Sequence, residues 1–420
     1  MRILMLVVYY PPNTTSAARM MQELATEYIR QGHVVSLVTP SEAVDGNLEI
    51  IKESGVTVVR VKTGDMKYAK KAVRMWRESR LSSTIWRKAH KYLKENPCDL
   101  IIYYSPTIFF GELVKRLKTL WGCTSYLILR DIFPKWALDV GVLREGVFYR
   151  YLKRKELEQY AAADWIGIES LGNMPYMDAE LPGHQGRIEV LYNWLDTWKK
   201  PDARNFWRRE LRLEGKAVFF YGGNIGVAQD MDNIIRLAAG LRDHEEIFFL
   251  LVGGGSETER MNGEIERQHL KNIRIHPPIT QNDYMECLSE FDVGLISIDR
   301  NMQSHNLTGK LLGYVLCGKP ILASLNPENG LIEILKGADA GIAIVNGEDE
   351  KLRAAALLLS SQPDTRLRMG VNARALGESM FSVQAIAKQL ISHFDPVDHV
   401  AVDTQYTARN CVGSELENQS

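Results

Sequence analysis

Short apolar runs alternate with longer helical segments through the first half of the chain. Apolar runs of strand length lie at 3–9, 34–39, 56–61, 100–104, 126–129, 165–169 and 188–191. Segments with the period of an amphipathic helix lie at 16–31 and 108–118. Continuous apolar strands that alternate with helices are typical of a parallel sheet covered on both faces. The pattern therefore predicts a doubly wound α/β domain.

The same alternation restarts near residue 217. Further strand-like runs lie at 217–221, 247–252, 273–276, 293–298, 320–323 and 343–344, with a helical segment at 231–241. A chain of 420 residues is long enough for two domains of about 200 residues each. We predict one domain over 1–195, a linker near 193–202, a second domain over 203–378 and a disordered polar tail over 396–420. Ligands of such sheets bind at the carboxyl ends of the strands, so the cleft between the domains is the expected site.

Composition indicates a soluble protein of a reducing compartment, which favours the cytoplasm. Apolar residues make up 45% of the chain and charged residues 25%, which is typical of a globular protein. The five cysteines are far apart and show no zinc spacing: Cys98, Cys123, Cys287, Cys317 and Cys411. The apolar start runs into Pro11 and Pro12 without a cleavage site, so it predicts a strand rather than a signal peptide. No apolar stretch approaches the roughly 18 residues of a membrane span.

Charge is distributed unevenly between the two halves. Residues 1–200 carry 29 Lys and Arg against 22 Asp and Glu, whereas residues 201–420 carry 22 against 30. Twelve basic residues fall within 60–96 against three acidic ones, with Trp76 and Trp86 interleaved. This composition favours an anionic membrane surface, and a solvated helix face is the alternative. Nucleic acid is a poorer partner because no recognition motif accompanies the charge.

Two segments of the second half are candidates for binding a phosphate. Gly222, Gly223 and Asn224 follow the strand at 217–221, and the second segment consists of His305, Asn306, Leu307, Thr308, Gly309 and Lys310. Lys310 and the backbone N–H groups of the helix that begins there would favour phosphate, and Thr308 and Gly309 would allow close approach of the backbone. His305 and Asn306 are candidates for contacts to sugar hydroxyls or a base edge. The alternatives are ordinary turn, loop and surface residues.

The first half supplies candidates for the acceptor side. Residues Asn13, Thr14, Thr15 and Ser16 are placed both to cap the first helix and to contact an acceptor. Asp131 is the candidate catalytic residue, which would orient the acceptor or buffer a cationic transition state; it is equally a candidate helix N-cap. Arg130 would reach a donor or acceptor phosphate, or pair only with Asp131.

Five motifs, in this order, resemble those of the family-4 retaining glycosyltransferases. They are GHVV at 32–35, RDIFP at 130–134, YNWLD at 192–196, YGGNIG at 221–226 and HNLTGKLLGYVLCGKP at 305–320. The resemblance is closer to bacterial transferases of O-antigen and capsule assembly, including those that move N-acetylfucosamine-type sugars. It implies the GT-B fold, in which two Rossmann-like domains face each other across a cleft. It also implies that a helix at 379–395 crosses back to the first domain.

The resemblance implies a reaction as well. A sugar would pass, with retained configuration, from a nucleotide-diphosphate donor, UDP in preference to GDP, to a polyprenyl-diphosphate-linked or other glycan acceptor. The enzyme would then be peripheral on the inner face of the cytoplasmic membrane. No metal or cofactor is expected, because such enzymes usually need none and the acidic pair Asp230 and Asp232 opens a helix. The run 253–255 lacks the spacing of a dinucleotide fingerprint.

The chain departs from the family pattern at the donor site. Two glutamates spaced E-x7-E in many members correspond to His305 and Gly313 here, and the second usually holds the nucleotide ribose. An Arg and a Lys that hold the diphosphate correspond to Asn224 and Gln229. We interpret the chain as a divergent branch. Two alternatives are a nucleotide-sugar 2-epimerase and a sugar-nucleotide-binding protein without catalysis.

Overall fold

The chain folds around two β-sheets, one formed by each half. The computed structural model describes residues 1–64, 71–139, 141–183, 186–194, 205–302, 307–327 and 329–394. The predicted tail, most of the predicted linker, His305 and Asn306 lie outside these residues. The first half contains β1 (Arg2–Leu6), α1 (Ser16–Arg30), β2 (Val34–Ser41), β3 (Leu48–Glu53), β4 (Val56–Lys62), α2 (Lys71–Ser79), α3 (Leu81–Glu95), β5 (Leu100–Tyr104), α4 (Gly111–Trp121), β6 (Thr124–Leu129), α5 (Lys135–Asp139), α6 (Val147–Tyr160), β7 (Trp165–Ile168), α7 (Met174–Glu180) and β8 (Ile188–Val190).

The N-terminal sheet has eight strands in the order β3-β4-β2-β1-β5-β6-β7-β8. All neighbours are parallel except β3, which pairs antiparallel with β4. The sequence analysis missed β3 and predicted a wholly parallel sheet, which is wrong at this edge. Ser54 and Gly55 join the two strands with φ values of 49° and 87°, the backbone that a two-residue hairpin turn requires.

The C-terminal sheet has six parallel strands in the order β11-β10-β9-β12-β13-β14. The second half contains α8 (Phe206–Glu210), β9 (Ala217–Asn224), α9 (Met231–Gly240), β10 (Ile247–Gly254), α10 (Thr258–Arg267), β11 (Ile273–His276), α11 (Gln281–Glu290), β12 (Val293–Ser297), α12 (Lys310–Leu316), β13 (Ile321–Leu325), α13 (Leu331–Ala338), β14 (Gly341–Val345), α14 (Asp349–Ser361), α15 (Pro363–Met380) and α16 (Val383–Ile391). Strand β9 extends beyond its predicted end at residue 221, because Gly222, Gly223 and Asn224 pair with the end of β10.

Each sheet is covered on both faces by its own pair of apolar clusters, as continuous apolar strands require. The last helix, α16, packs against the N-terminal sheet rather than the sheet that precedes it in the chain. Its Val383, Ile386 and Leu390 share a buried cluster with β1 and α1. The Tyr28 hydroxyl also donates to the carbonyl of Ala387 over 3.3 Å. The helix therefore ties the second half of the chain to the first.

The basic stretch at 60–96 contains two helices with different surroundings. Helix α3 buries Leu81, Ile85, Ala89 and Leu93 in the N-terminal core, so its basic residues occupy only the outer face. On α2, the Trp76 side chain is 59% exposed. Among the residues that the structure describes, no helix combines the length and the apolar character that crossing a membrane requires.

Candidate functional site

The carboxyl ends of β9 and β10 pair side by side and leave no room for a side chain at two glycine positions. A Cβ atom on Gly253 would lie 1.9 Å from the carbonyl oxygen of Gly223, and one on Gly255 would lie 2.2 Å from that of Ile225. Neither position tolerates a side chain. The glycine run at 253–255 therefore allows the ends of the two strands to pack closely.

Lys310 begins α12 and its side chain lies against the end of β9. A Cβ placed on Gly223 would be 3.7 Å from Cε and 3.8 Å from Nζ of Lys310. Nζ also lies 4.6 Å from the centroid of the Tyr221 ring. The structure therefore brings together Lys310 and Gly223, two candidates from distant parts of the sequence.

The Lys310 ammonium lacks a charged partner. It forms no ion pair or hydrogen bond with any residue that the structure describes, and burial lowers its pKa to about 8. A Cβ on neighbouring Gly309 would meet no atom within 4 Å apart from its chain neighbours. A desolvated cation without an ion-pair partner among the described residues is a natural place for an anion. Thr308 lies two residues before Lys310, and its carbonyl accepts from the Leu311 N–H over 3.0 Å.

Asn224 and Gln229 occupy the positions where the resembled family has two cations. They are neighbours in space: Nδ2 of Asn224 donates to Oε1 of Gln229 over 3.1 Å. The Tyr221 hydroxyl fixes this turn by donating to the Asn224 carbonyl over 2.6 Å. The pair therefore presents amide groups and no charge, which leaves Lys310 to supply positive charge at this strand end.

Tyr284 is a site residue that sequence reasoning missed. Its ring lies directly against Gly222, where a Cβ would be 2.3 Å from the ring and its hydroxyl. A Cβ on Gly313 would be 3.8 Å from the same ring and 3.2 Å from Leu288. The side chain of a glutamate at position 313 would therefore have to pack directly beside Tyr284 and Leu288. That Gly222 and Gly313 face the same side chain is a property of the fold, and the sequence contained no signal for it.

The acidic pair near β9 has structural partners. Asp230 caps α9 by accepting from the Asn233 N–H over 3.3 Å, and it also accepts from Nδ2 of Asn346 over 3.0 Å. Asp232 forms an ion pair with Arg260 at 2.7 Å. The prediction that these acids open a helix is confirmed.

On the N-terminal side, Arg130 follows β6 and is a buried cation. Its Nη2 donates to the Tyr192 carbonyl over 3.3 Å, and Cζ lies 5.8 Å from the centroid of the Trp194 ring. Its Nε is buried and has no hydrogen-bond partner among the residues that the structure describes. Burial lowers the pKa of this guanidinium, whereas the nearby Tyr104 and Glu169 act to raise it. A buried cation with an unused donor suits an anionic ligand group.

Asp131 lies beside Arg130 and is exposed. Partial desolvation by the surrounding protein raises the pKa of its carboxyl, and Arg130 opposes that shift. The two side chains form no ion pair, so the alternative in which Arg130 only pairs with Asp131 is wrong. The N-cap alternative is also wrong, because α5 begins at Lys135, four residues later.

The segment before α1 is ordered by its own side chains. Thr15 is the N-cap and accepts from the Ala18 N–H over 3.3 Å, while Oδ1 of Asn13 accepts from the Thr15 N–H over 3.0 Å. Thr14 and Ser16 are exposed. Capping therefore accounts for Asn13 and Thr15, and it leaves Thr14 and Ser16 available to a ligand.

The C-terminal half matches a known family. Residues 203–376 match the family model described as "Glycosyl transferases group 1". The protein WcaI of Escherichia coli K12, whose name assigns it to glycosyl transfer in colanic acid biosynthesis, is 24% identical over 233 residues, 52% of this chain and 56% of that protein. The glycosyltransferase WbjE of Pseudomonas aeruginosa is 23% identical over 211 residues, 49% of this chain and 52% of that protein. The chain thus spans about half the length of the curated relatives it matches.

A solved structure shows the same architecture over nearly the whole chain. The structure of Anabaena HepE in complex with UDP superposes with a TM-score of 0.60 at 16% identity, and it covers 94% of this chain and 99% of that one. This similarity shows the fold. The predicted fold class, GT-B with two Rossmann-like domains, is confirmed.

Proposed function

We propose that this chain is a retaining glycosyltransferase of the family-4 type. It moves a sugar of the N-acetylated deoxyhexose class from a UDP-linked donor to a lipid-linked acceptor in surface polysaccharide assembly. The matching C-terminal domain and the names of WcaI and WbjE support glycosyl transfer in polysaccharide biosynthesis. The complexes of HepE with UDP and with UDP-glucose support a UDP donor.

The observation that carries the proposal is the desolvated Lys310 ammonium against Gly223. A nucleoside diphosphate acquires negative charge as its bond to the sugar breaks, and a fixed cation in a water-poor site stabilises that charge. Lys310 is already held in place by Tyr221 and Gly223, so little reorganisation accompanies the reaction. His305 and Asn306, in the segment just before it, remain proposed donor contacts.

The acceptor side would be built on Arg130. A lipid-linked acceptor carries a diphosphate, and the unused Nε donor of the buried Arg130 suits one of its oxygens. Asp131, with its raised pKa, would lie beside the acceptor hydroxyl and orient it. Thr14 and Ser16 would contact the acceptor glycan from the start of α1.

The chemical step needs no protein nucleophile. The acceptor oxygen forms a bond to the anomeric carbon on the face from which the diphosphate departs. The bond between that carbon and the phosphate oxygen breaks, and the leaving diphosphate takes the acceptor proton. Configuration is retained because entry and departure share one face. Lys310 holds the phosphate charge throughout.

The proposed location is the inner face of the cytoplasmic membrane, where the lipid-linked acceptor is accessible. The cations of 60–96 would contribute attraction to anionic lipid. The apolar face of α3 packs into the core, whereas α2 carries an exposed aromatic side chain, Trp76.

Activity can be tested by incubating the full chain and bacterial membranes with a panel of labelled nucleotide sugars. A labelled lipid-linked product supports the proposal. A free epimerised nucleotide sugar would instead identify an epimerase, and binding without turnover would identify a non-catalytic protein. Lys310→Ala should abolish transfer, whereas the matched control Lys336→Ala, on the exposed side of α13, should leave it unchanged.

A further inference from the structure

Large apolar side chains are exposed in one short segment after Arg130. Sixteen such side chains are exposed among the described residues, and five of them fall within positions 136–151. They are Trp136, Val142, Val147, Phe148 and Tyr151, which we call the apolar patch. Val147 is 77% exposed and Phe148 50%. A concentration of this kind marks an interaction surface rather than ordinary surface apolarity.

The patch is held on a rigid helix end. Helix α6 buries Leu152, Glu156 and Tyr160 against the N-terminal core. Val147 and Tyr151 lie one turn apart at its start, on the side away from that core. The N–H of Leu143 donates to the Ala137 carbonyl over 2.8 Å and fixes the connection from α5. The start of α6 therefore holds Val147 and Tyr151 at the surface.

The patch also borders the proposed acceptor side. Strand β6 ends at Leu129, Arg130 and Asp131 follow directly, and α5 and the start of α6 come next. In a β-α-β unit, the segment after a strand lies at the carboxyl edge of the sheet, and the helix then returns along the sheet. The start of α6 therefore lies at the same edge as Arg130.

Cations that form no ion pair among the described residues lie beside the patch in the chain or line a groove next to α6. A groove of about 480 Å³ between α4 and α6 is lined by Lys115 and Arg150, among others. Lys115, Arg144 and Arg150 form no ion pair with any part of the chain that the structure describes. Arg154, which also lines the groove, is paired with Glu158 at 2.9 Å. An apolar face beside unpaired cations complements the surface of an anionic bilayer, where acyl chains lie below phosphate groups.

We propose that the apolar patch, together with Arg144 and Arg150, docks on an anionic lipid bilayer. The patch enters the boundary between headgroups and acyl chains, and the two arginines contact lipid phosphates. This surface differs from the basic stretch at 60–96, whose α3 directs its apolar residues inward. The inference rests on the proposed function in one respect: docking here would present a lipid-linked acceptor to Arg130.

The test is co-sedimentation of the full chain with vesicles of phosphatidylglycerol and phosphatidylethanolamine, or of phosphatidylcholine alone. The triple variant Val147→Ser, Phe148→Ser, Tyr151→Ser should lose at least about tenfold in affinity for the anionic vesicles. The double variant Arg144→Gln, Arg150→Gln should lose the salt-sensitive component of vesicle binding, so added salt should weaken its binding less than that of the wild type. The control Leu367→Ser, Val371→Ser removes two side chains of α15 that are 70% and 63% exposed, and it should bind like wild type.

Three results would overturn the inference. The first is full vesicle binding by the triple variant. The second is loss of binding in Trp76→Ser but not in the triple variant, which would place the interface on α2. The third is self-association of the wild-type chain that is lost in the triple variant while vesicle binding is kept.

UDP binding, measured on the same samples, separates the two proposals. UDP binding without vesicle binding refutes only the docking surface, and vesicle binding without UDP binding refutes only the donor site.

Discussion

Replacing Lys310 with methionine tests the proposed donor site directly. Methionine keeps most of the side-chain volume beside Gly223 and Tyr221 but removes the charge. A hydrogen bond between an ammonium and a phosphate contributes about 1.5–3 kcal/mol. The dissociation constant for UDP should therefore rise roughly 10- to 150-fold in Lys310→Met.

The pH dependence of UDP binding by the wild-type protein provides a second, independent measure. The pKa of Lys310 in the free site is about 8, and a bound phosphate would raise it. Binding should be constant between pH 7 and the pKa near 8, and then weaken by up to about tenfold per pH unit as Lys310 loses its proton. The Lys310→Met variant should show no such weakening.

Stability should change in the opposite direction from binding. Burial places the folded-state pKa of Lys310 below the ordinary lysine value of 10.5, so the charged lysine destabilises the fold at neutral pH. This cost disappears as pH rises from the folded-state pKa to the ordinary value. Lys310→Met should be at least as stable as wild type at pH 7, with a gain of up to about 3 kcal/mol. Urea denaturation measures this.

Isothermal titration calorimetry with UDP between pH 7 and 9 is the assay, with uridine as the ligand that lacks phosphate. Uridine affinity should be insensitive to both pH and the substitution. Lys336→Met controls for the loss of a lysine elsewhere. A UDP affinity within twofold of wild type in Lys310→Met, or a flat wild-type profile above pH 8, would refute the phosphate role.

Three further predictions concern other parts of the chain. Arg130→Met should lower the rate of sugar transfer about 100-fold in a membrane assay and leave UDP affinity unchanged, because the lost cation serves the acceptor; equal transfer rates would remove Arg130 from the site. Gly253→Ala should destabilise the fold by about 2 kcal/mol or more in urea, since its Cβ would lie 1.9 Å from the Gly223 carbonyl oxygen. Gly263→Ala, in α10 with no atom near its Cβ, should instead stabilise it by about 0.5–1 kcal/mol. Thr15→Ala should cost about 1 kcal/mol through loss of the α1 cap, and Thr15→Ser should restore most of it; equal stability of the two variants would argue against the cap.

The periodicity of the chain was sufficient to predict the two α/β halves. Continuous apolar strands such as β5, with all five residues buried, are the signature of a sheet covered on both faces. The edge hairpin was missed because β3 has no buried residue and lacks such a run. Its turn at Ser54 and Gly55 depends on positive φ values, and the residues around it give only a weak indication of such a turn.

The candidate site was predicted in part. The Gly-Lys sequence at 309–310 identified the cation, because lysine at the start of a helix after glycine has a recognised affinity for phosphate. Sequence alone left Asp131 with two roles, and the start of α5 at Lys135 removed one of them. It gave no reason to single out Tyr284, because a tyrosine on an amphipathic helix is ordinarily a core residue.

The sequence by itself determined the elements, their alternation and the chemical types available at the strand ends, because these depend on local spacing and residue identity. Only the tertiary structure decided which of these groups meet. It placed Lys310 against Gly223, paired Asn224 with Gln229, and left Nε of Arg130 without a partner. It also separated the inward apolar face of α3 from the exposed start of α6. The physical reason is that burial and desolvation are properties of packed neighbours, and neighbours in the fold are distant in the chain.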